Sequence, residues 1–373
     1  MVLLNNYPNI ISYESTKKII EQMERTLCKI NIQQIKGSGF LCKIPFPDRN
    51  NLLPVLITNN HIINKDILYQ KNAKILIDIK DRSDLIQLDL NNRIKYTNQE
   101  YDITIIEIIE IDKIYNFLEL DDNIINDIIF NTNNNKMYTK ETIYAIQYPE
   151  EKLSVSYGIL DKIYEDKKYL FIHKCSTKSG SAGCPILNIY NNKVIGVHYA
   201  GGRDFNKGIF LNYPINEFIK LNCNDYLIKK FNLEYKVNIQ NDKINKLDLR
   251  WKGLGNNGFE ALCKIEFKEL KELILYNNNI SDIKPLMQAK FQNMEILDLS
   301  QNKISNINVL ESVRFKGLKQ LYLGYNDISD IKVFEKANFE QLEILNLSNN
   351  KIDKDKNALT ISNIKSKIKD FEI

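Results

Sequence analysis

Gly180-Ser181-Ala182-Gly183-Cys184-Pro185, called the GSAGCP loop below, is the stretch that decides the fold of the first half of this 373-residue sequence. The loop lies between two apolar runs, KYLFIHKC and PILNIY. A second stretch, Thr58-Asn59-Asn60-His61, ends another apolar run, LPVLIT. Apolar runs of this length predict β-strands, and both stretches therefore lie where strands give way to loops.

Runs with strand character continue from about residue 31 to residue 216, separated by turns rich in Asn, Asp, Gly and Lys. Strands at this spacing favour a barrel or a sandwich rather than β-α-β units. An Asn/Asp-rich stretch near 121–136 divides them into two sets. The region is therefore predicted to be all-β and to have two halves.

The last third of the chain is a repeat array with a period of 24 residues. Four segments share one pattern: LILYNNNISDI (273–283), LDLSQNKISNI (297–307), LYLGYNDISDI (321–331) and LNLSNNKI (345–352). An irregular first repeat, LDL at 247–249, precedes them. One repeat cannot bury its apolar face alone, so the array predicts a solenoid with a continuous core.

These patterns divide the chain into four parts. We expect an N-terminal helical segment at 1–30, an all-β domain at 31–216, a linker at 217–240 and a repeat domain at 241–373.

Composition excludes several classes of protein. A net charge of +4, with acidic and basic residues interspersed, argues against nucleic acid or an acidic membrane as a partner. No run of about 18 apolar residues is present, and no signal peptide is visible. The six cysteines and three histidines lack metal-ligand spacing, so we expect free thiols, no metal, no other cofactor and a cytoplasmic location.

Five motifs of the 31–216 region resemble those of the trypsin/chymotrypsin superfamily and occur in the order of that family. They are GSGF (37–40), LITNNH (56–61), YDITI (101–105), the GSAGCP loop and VIGVHYAGG (194–202). The resemblance implies a double β-barrel and serine endopeptidase activity on a protein substrate.

The resemblance assigns the catalytic base to His61 and the acid to Asp102, with Asp84 and Asp89 as competing acids. Imidazole titrates near neutrality and can accept the proton of a hydroxyl nucleophile. The carboxylate would hold the imidazole tautomer and stabilise the imidazolium.

The nucleophile position of the family falls on Ala182. The backbone N–H groups of Gly180 and Ala182 would form the oxyanion hole, for which the glycine provides the necessary backbone freedom. Ser181 and Cys184 lie at the wrong positions to replace the missing hydroxyl. The chain as written is therefore expected to be inactive.

Two origins of the alanine remain open: a natural pseudoprotease, or the replacement of a native serine. The retention of His61, Asp102 and Gly180 favours replacement. Ser181 also stands where secreted trypsins have the Asp that a new N-terminus neutralises. Activation by that route is not expected, and the repeats are the candidate for control.

The residues Thr177 and His198 resemble the S1 pocket of picornaviral processing proteases and of bacterial glutamyl endopeptidases. Such pockets bind Gln or Glu before the scissile bond (the P1 residue), and Ser176 offers no charge for Lys or Arg. An ordinary strand position for His198 is the alternative. His173 is interpreted as a structural strand residue.

The repeats resemble leucine-rich repeats, which implies that Asn278, Asn302, Asn326 and Asn350 satisfy backbone groups inside the turns. The leucines point inward, so the residues between them face out. We expect a protein partner to bind these outward residues: Ile274, Tyr276, Asp298, Tyr322 and Asn346. The alternative is that the array only caps the protease.

The main hypothesis is a cytosolic serine endopeptidase whose repeats recruit a substrate or sense a ligand. The rival hypotheses are a pseudoprotease that acts as a peptide-binding scaffold, and an immune-type sensor. No GxxxxGK[ST] motif is present, so a switch driven through a P-loop is not expected.

Overall fold

The computed structural model describes residues 10–32, 35–202, 204–337 and 339–373. The chain divides into two compact units, Met1–Asn222 and Cys223–Ile373. Residues 1–9 of the predicted N-terminal segment lie outside the described residues. Most of the segment predicted as a linker, 217–240, lies within a helix at Asn212–Tyr235.

Eight strands of the described chain form the first sheet: β1 (Leu27–Ile32), β2 (Ile35–Pro45), β3 (Leu52–Thr58), β4 (Lys74–Ile79), β5 (Ile86–Asp89), β6 (Lys95–Asn98), β7 (Ile103–Glu107) and β8 (Leu118–Glu119). Their order is β5-β4-β1-β2-β3-β7-β6, with β8 paired to β2, so this sheet is open by its hydrogen bonds.

A buried arginine joins the edge strand β5 to β7, the strand next to the other edge of the first sheet. Arg93 follows β5, and its guanidinium donates to the carbonyl oxygens of Asp89 and Glu107. Its Nη2 lies 2.7 Å from Oδ1 of Asp112, and both side chains are almost fully buried. Each charge is thus compensated by the other, which a buried ion pair requires.

The second sheet is a closed barrel with the order β10-β11-β14-β13-β12-β9. Its strands are β9 (Thr142–Gln147), β10 (Ser154–Ile163), β11 (Leu170–His173), β12 (Pro185–Asn188), β13 (Val194–Gly201) and β14 (Asn206–Phe210). Every residue of β9 is buried. The predicted chymotrypsin-like all-β fold followed by a repeat solenoid is therefore confirmed, with an open first sheet and a closed second one.

The α-helices of the described chain are α1 (Tyr13–Arg25), α2 (Lys65–Tyr69), α3 (Asp122–Phe130), α4 (Asn212–Tyr235), α5 (Gly255–Lys264), α6 (Val333–Lys336) and α7 (Ala358–Lys367), of which α4 is the longest. The N-cap Ser12 accepts from the N–H of Ser15 and fixes the start of α1. Gln22 then ties α1 to the barrel, because it donates to the Asn192 carbonyl and accepts from the Tyr144 hydroxyl. No helix in the described ranges is long and apolar enough to cross a membrane.

The repeats form a parallel sheet with strands in sequence order. The strands are β15 (Lys246–Asp248), β16 (Glu272–Ile274), β17 (Ile296–Asp298), β18 (Gln320–Tyr322), β19 (Ile344–Asn346) and β20 (Asp370–Glu372). Leu273, Leu297, Leu321 and Leu345 pair in register and are fully buried. The stacked leucines are the continuous core that the sequence predicts.

An asparagine ladder holds the repeat turns together. Asn302 Nδ2 donates to the carbonyls of Leu275, Leu299 and Ser300, while its Oδ1 accepts from the N–H groups of Asn278 and Ile280. Each asparagine therefore joins its own repeat to the preceding one.

The residue before each ladder asparagine, in the second to fifth repeats, has a left-handed backbone, as does its counterpart in the first repeat, which precedes Lys252. These residues are Trp251, Asn277, Gln301, Tyr325 and Asn349. Asparagine tolerates this conformation, but Trp251 and Tyr325 are bulky and mostly exposed.

We predict that Asn302→Leu lowers the free energy of unfolding by at least about 3 kcal/mol, because several buried backbone groups lose their partner and each costs about 1–3 kcal/mol. Urea denaturation would measure the change. Ser305→Ala, at an exposed position of the same repeat, is the control and should change stability by less than about 0.5 kcal/mol. An equal effect of both variants would contradict the ladder.

Candidate active site

The structure brings His61 and Asp102 into direct contact. His61 Nδ1 lies 2.7 Å from Oδ2 of Asp102, and the His61 backbone N–H donates to Oδ1 at 2.9 Å. The carboxylate is buried, whereas the imidazole is about half exposed. Asp102 thus fixes the ring from one side and leaves the rest of it accessible.

The other two candidate acids do not approach His61 in this way. Asp84 is exposed, and Asp89 accepts hydrogen bonds from its neighbour Asn91. That local pairing lowers the pKa of Asp89. The choice of Asp102 over these residues therefore agrees with the geometry.

Asp102 lies in a turn just before β7. Its φ is 48°, a left-handed value that aspartate adopts more readily than most other non-glycine residues. Asn59 Nδ2 donates to the Asp102 carbonyl at 2.8 Å, and Asn98 Oδ1 accepts from the N–H of Tyr101. The Nδ2 group of Asn98 in turn donates to the carboxylate of Glu217 on α4.

The GSAGCP loop is attached to the first sheet by Ser38 on β2. The Ser38 hydroxyl donates to the Gly180 carbonyl at 2.7 Å, and its N–H donates to the Ala182 carbonyl at 2.9 Å. Gly183 has φ 83°, and a Cβ there would lie 2.1 Å from the Ser38 carbonyl oxygen and 2.8 Å from the hydroxyl of Thr58. The loop therefore lies against the end of β3, from which the stretch to His61 begins.

Two backbone donors of the loop remain available. Within the part of the chain that the structure describes, the N–H groups of Gly180 and Ala182 have no acceptor, whereas those of Ser181, Gly183 and Cys184 do. Paired N–H donors without internal acceptors are what an oxyanion hole needs.

Neither Ser181 nor Cys184 replaces a hydroxyl at position 182. Ser181 is fully buried, and its hydroxyl accepts from the Lys178 N–H at 3.1 Å. Cys184 is also buried, and burial raises the pKa of its thiol far above the usual range. Ala182 itself lies partly buried beside the core of the first sheet.

His198 contacts His173, the histidine that the sequence analysis interpreted as a structural strand residue. Its Nδ1 lies 3.2 Å from Nε2 of His173, and both rings are buried. Burial and the nearby His61 lower the pKa of His198 to about 4. Burial and His198 lower the pKa of His173 to about 3. Both imidazoles are therefore neutral near pH 7, and one ring donates its proton to the other.

Thr177 is held by Asn206, the first residue of β14. Its hydroxyl donates to Asn206 Oδ1 at 2.9 Å, and Asn206 Nδ2 donates to the Cys175 carbonyl. The second bond fixes the orientation of the amide, so the Thr177 hydroxyl proton is already used and its oxygen is left as an acceptor.

Two family models match the chain. Residues 37–197 match the trypsin-like peptidase domain, and residues 268–328 match the leucine rich repeat. The first unit therefore contains a trypsin-like peptidase domain, and the second contains leucine-rich repeats.

The curated relatives include glutamyl endopeptidases from Staphylococcus aureus strains MW2 and COL. Each is 30% identical over 96 residues, which are 25% of this chain and 29% and 28% of the two relatives. The chain thus spans less than a third of the length of these relatives.

Solved structures with a similar fold include a serine endoprotease from Yersinia pestis (TM-score 0.39, 13% identity, 57% of this chain and 68% of that chain). The Rv3671c protease from M. tuberculosis, in its active form, has a TM-score of 0.40 and 11% identity over 60% of this chain and 92% of its own. The human pathogenic astrovirus serine protease has a TM-score of 0.35 and 16% identity over 51% and 94%.

Proposed function

We propose that the peptidase domain is a serine endopeptidase whose nucleophile position is residue 182, and that alanine there leaves this chain inactive. The observation that carries the proposal is the His61–Asp102 pair together with the N–H groups of Gly180 and Ala182, which have no acceptor among the described residues. A base held by a buried acid and a pair of free donors are the two parts that acyl transfer needs besides the nucleophile.

With serine at position 182, the Oγ would attack the scissile carbonyl carbon while His61 accepts its proton. The carbonyl electron pair would move onto the oxygen, which the N–H groups of Gly180 and residue 182 would stabilise. Collapse of this intermediate would break the C–N bond, and His61 would return the proton to the leaving amine. Water would then hydrolyse the acyl-enzyme by the same route.

The alternative is a natural pseudoprotease that binds extended peptides without cleaving them, and alanine at position 182 is the observation in its favour. The intact contacts of His61 and Asp102 favour a native serine, because a protein that only binds peptides does not need this acid–base pair. Five cysteines, Cys28, Cys42, Cys175, Cys184 and Cys263, are buried free thiols, which suits the reducing cytoplasm that we infer as the location.

We predict that Ala182→Ser converts the chain into a peptidase that a fluorophosphonate probe labels. Turnover should exceed that of the alanine form by about 10⁶-fold, the scale that loss of a serine nucleophile costs in subtilisin. Labelling and cleavage of a mixed peptide library would measure the gain. His61→Ala in the serine background is the control and should abolish both. A folded Ala182→Ser variant that is neither labelled nor active would refute the endopeptidase function.

For the S1 pocket we infer a preference for Gln over Glu at P1. A neutral His198 supplies no positive charge for a carboxylate. The Thr177 oxygen accepts rather than donates, because its proton is bonded to Asn206. A carboxamide can donate its NH₂ to Thr177 and accept from an imidazole N–H, whereas a carboxylate has no proton to give.

In the serine form, a peptide with P1 Gln should therefore have a kcat/KM at least about tenfold above its P1 Glu counterpart at pH 7.5, since one unpaired buried polar group costs about 1–3 kcal/mol. Kinetics on peptide pairs that differ only at P1 would measure the ratio. Thr177→Val should reduce the ratio and Thr177→Ser should keep it. Preferred cleavage after Glu, Lys, Arg or Phe would contradict this pocket.

The repeats are proposed to bind a protein substrate or effector through the residues that flank the buried leucines. Tyr276, Asp298, Tyr322 and Asn346 are partly exposed there, whereas Ile274 is buried and does not belong to the surface. Exposed Trp251 extends the surface, since its ring lies 5.5 Å from that of Tyr276.

The charge around Tyr322 favours a basic partner segment. Burial raises the pKa of the Tyr322 hydroxyl, and so do the carboxylates of Asp298, Asp370 and Glu372. These acids lie on β17 and β20, close enough for their fields to add at one tyrosine. Lysine or arginine side chains of a partner would meet both carboxylates and aromatic faces here.

In the serine form, Tyr276→Ala with Tyr322→Ala should raise KM for the intact protein substrate by at least about 30-fold, because one aromatic hot spot contributes about 2 kcal/mol. Cleavage of a short peptide should not change. Met287→Ala, which removes an exposed apolar side chain between strands, is the control. Equal losses on both substrates would mean that the repeats only support the peptidase domain.

A further inference from the structure

The loop at Pro149–Glu151 contains two consecutive strained residues and no glycine. Glu150 has φ 49° and Glu151 has φ 66°, both in the left-handed region. Their side chains are exposed, and the Glu150 carboxylate makes a surface ion pair with Lys178 in which both groups are mostly exposed. Backbone strain of about 1–2 kcal/mol per residue persists where the surrounding structure requires that backbone.

The strained backbone of this loop positions the N–H group of Glu150. The Glu150 N–H donates to the carbonyl oxygen of Ser179 at 2.8 Å. That carbonyl belongs to the same peptide unit as the N–H of Gly180. In a trans peptide the C=O and N–H point in opposite directions, so a donor that holds the carbonyl on one side turns the Gly180 N–H to the other.

We propose that the Glu150 main-chain N–H is the positioning donor that keeps the Ser179–Gly180 peptide in the orientation required for the oxyanion hole; this inference rests on the endopeptidase function proposed above. If this peptide unit flipped, the Ser179 carbonyl oxygen would face the developing oxyanion in place of the Gly180 N–H. The two oxygens would then repel each other.

The surroundings of Gly180 fit this role. Its φ is 93°, and a Cβ there would lie 2.6 Å from the Tyr148 carbonyl oxygen, so only glycine can follow the Pro149–Glu151 loop this closely. The Gly180 carbonyl, in the next peptide unit, is held by the Ser38 hydroxyl. The Ser179–Gly180 peptide is thus braced at both ends.

The second donor of the oxyanion hole is arranged differently. The Ala182 N–H shares its peptide unit with the Ser181 carbonyl, which accepts from the Cys184 N–H at 3.1 Å. That bond lies within the GSAGCP loop itself. The two donors therefore have separate supports, and a change at Glu150 should affect the Gly180 donor alone.

Substitutions at Glu150 in the Ala182→Ser form test the proposal, because they separate the N–H from the side chain. Glu150→Pro removes the N–H and cannot adopt a positive φ. It should lower kcat about 10²–10³-fold, the usual loss for one oxyanion donor, with KM changed less than about threefold. Affinity for a peptide aldehyde, whose adduct resembles the tetrahedral intermediate, should fall in parallel with kcat.

Glu150→Gly is the conservative variant, since glycine keeps the N–H and adopts positive φ without strain. It should retain most of the turnover that proline removes. Asn72→Pro, at an exposed left-handed position of another turn (φ 60°), controls for the general effect of proline and should leave kcat unchanged. Equal kcat for Glu150→Pro and Glu150→Gly would overturn the proposal, as would a loss confined to KM.

A second measurement uses the chain with Ala182 and needs no activity. The Gly180 amide resonance in ¹⁵N–¹H spectra should shift strongly in Glu150→Pro and little in Glu150→Gly, while the dispersion of the remaining spectrum shows that the domain is folded. An unmoved Gly180 resonance would overturn the positioning role. An inactive, unlabelled Ala182→Ser variant would instead refute the endopeptidase function, so the two failures are distinct.

Discussion

The two hydrogen bonds that Ser38 donates to the GSAGCP loop are the constraint on which the geometry of the candidate active site depends. One residue of β2 holds the carbonyls of both Gly180 and Ala182, across 142 positions of sequence in the case of Gly180. Through Thr58, which donates to the Ser38 carbonyl, the same residue contacts the end of β3. The first sheet thereby presents His61 and Asp102 beside a loop that belongs to the second sheet.

The parts of the site that could be predicted from sequence are those whose chemistry depends on residue type in a fixed order. His61, Asp102 and Gly180 fall in this group, because the roles proposed for them call for an imidazole, a carboxylate and the backbone freedom of glycine. The repeats were equally predictable, since a 24-residue period forces Leu273, Leu297 and their equivalents into one stack. The linker was not, because no periodic apolar face distinguishes the middle of α4 from a polar connection.

Two kinds of contact could not be predicted from the sequence: those made by main-chain groups, and those between residues on strands far apart in the chain. The hydrogen bond that the Glu150 main-chain N–H donates cannot be recognised from the residue type, because every residue except proline has the same N–H. His173 reads as an ordinary residue of β11, and only the pairing of β11 and β13 with β14 brings it to His198. Ile274 alternates with its leucine neighbours as an outward-facing residue should, yet it is buried, which the alternation alone does not reveal.

The distribution of two rare side chains gives each unit its own spectroscopic reporter. All three histidines of the chain lie in the 1–222 unit, and its single tryptophan lies in the 223–373 unit. Trp251 is mostly exposed and meets Tyr276 edge-on, so its emission responds to solvent and to anything that covers that surface. Tryptophan fluorescence therefore follows the repeats alone, and imidazole proton resonances follow the peptidase domain alone, in one unlabelled sample.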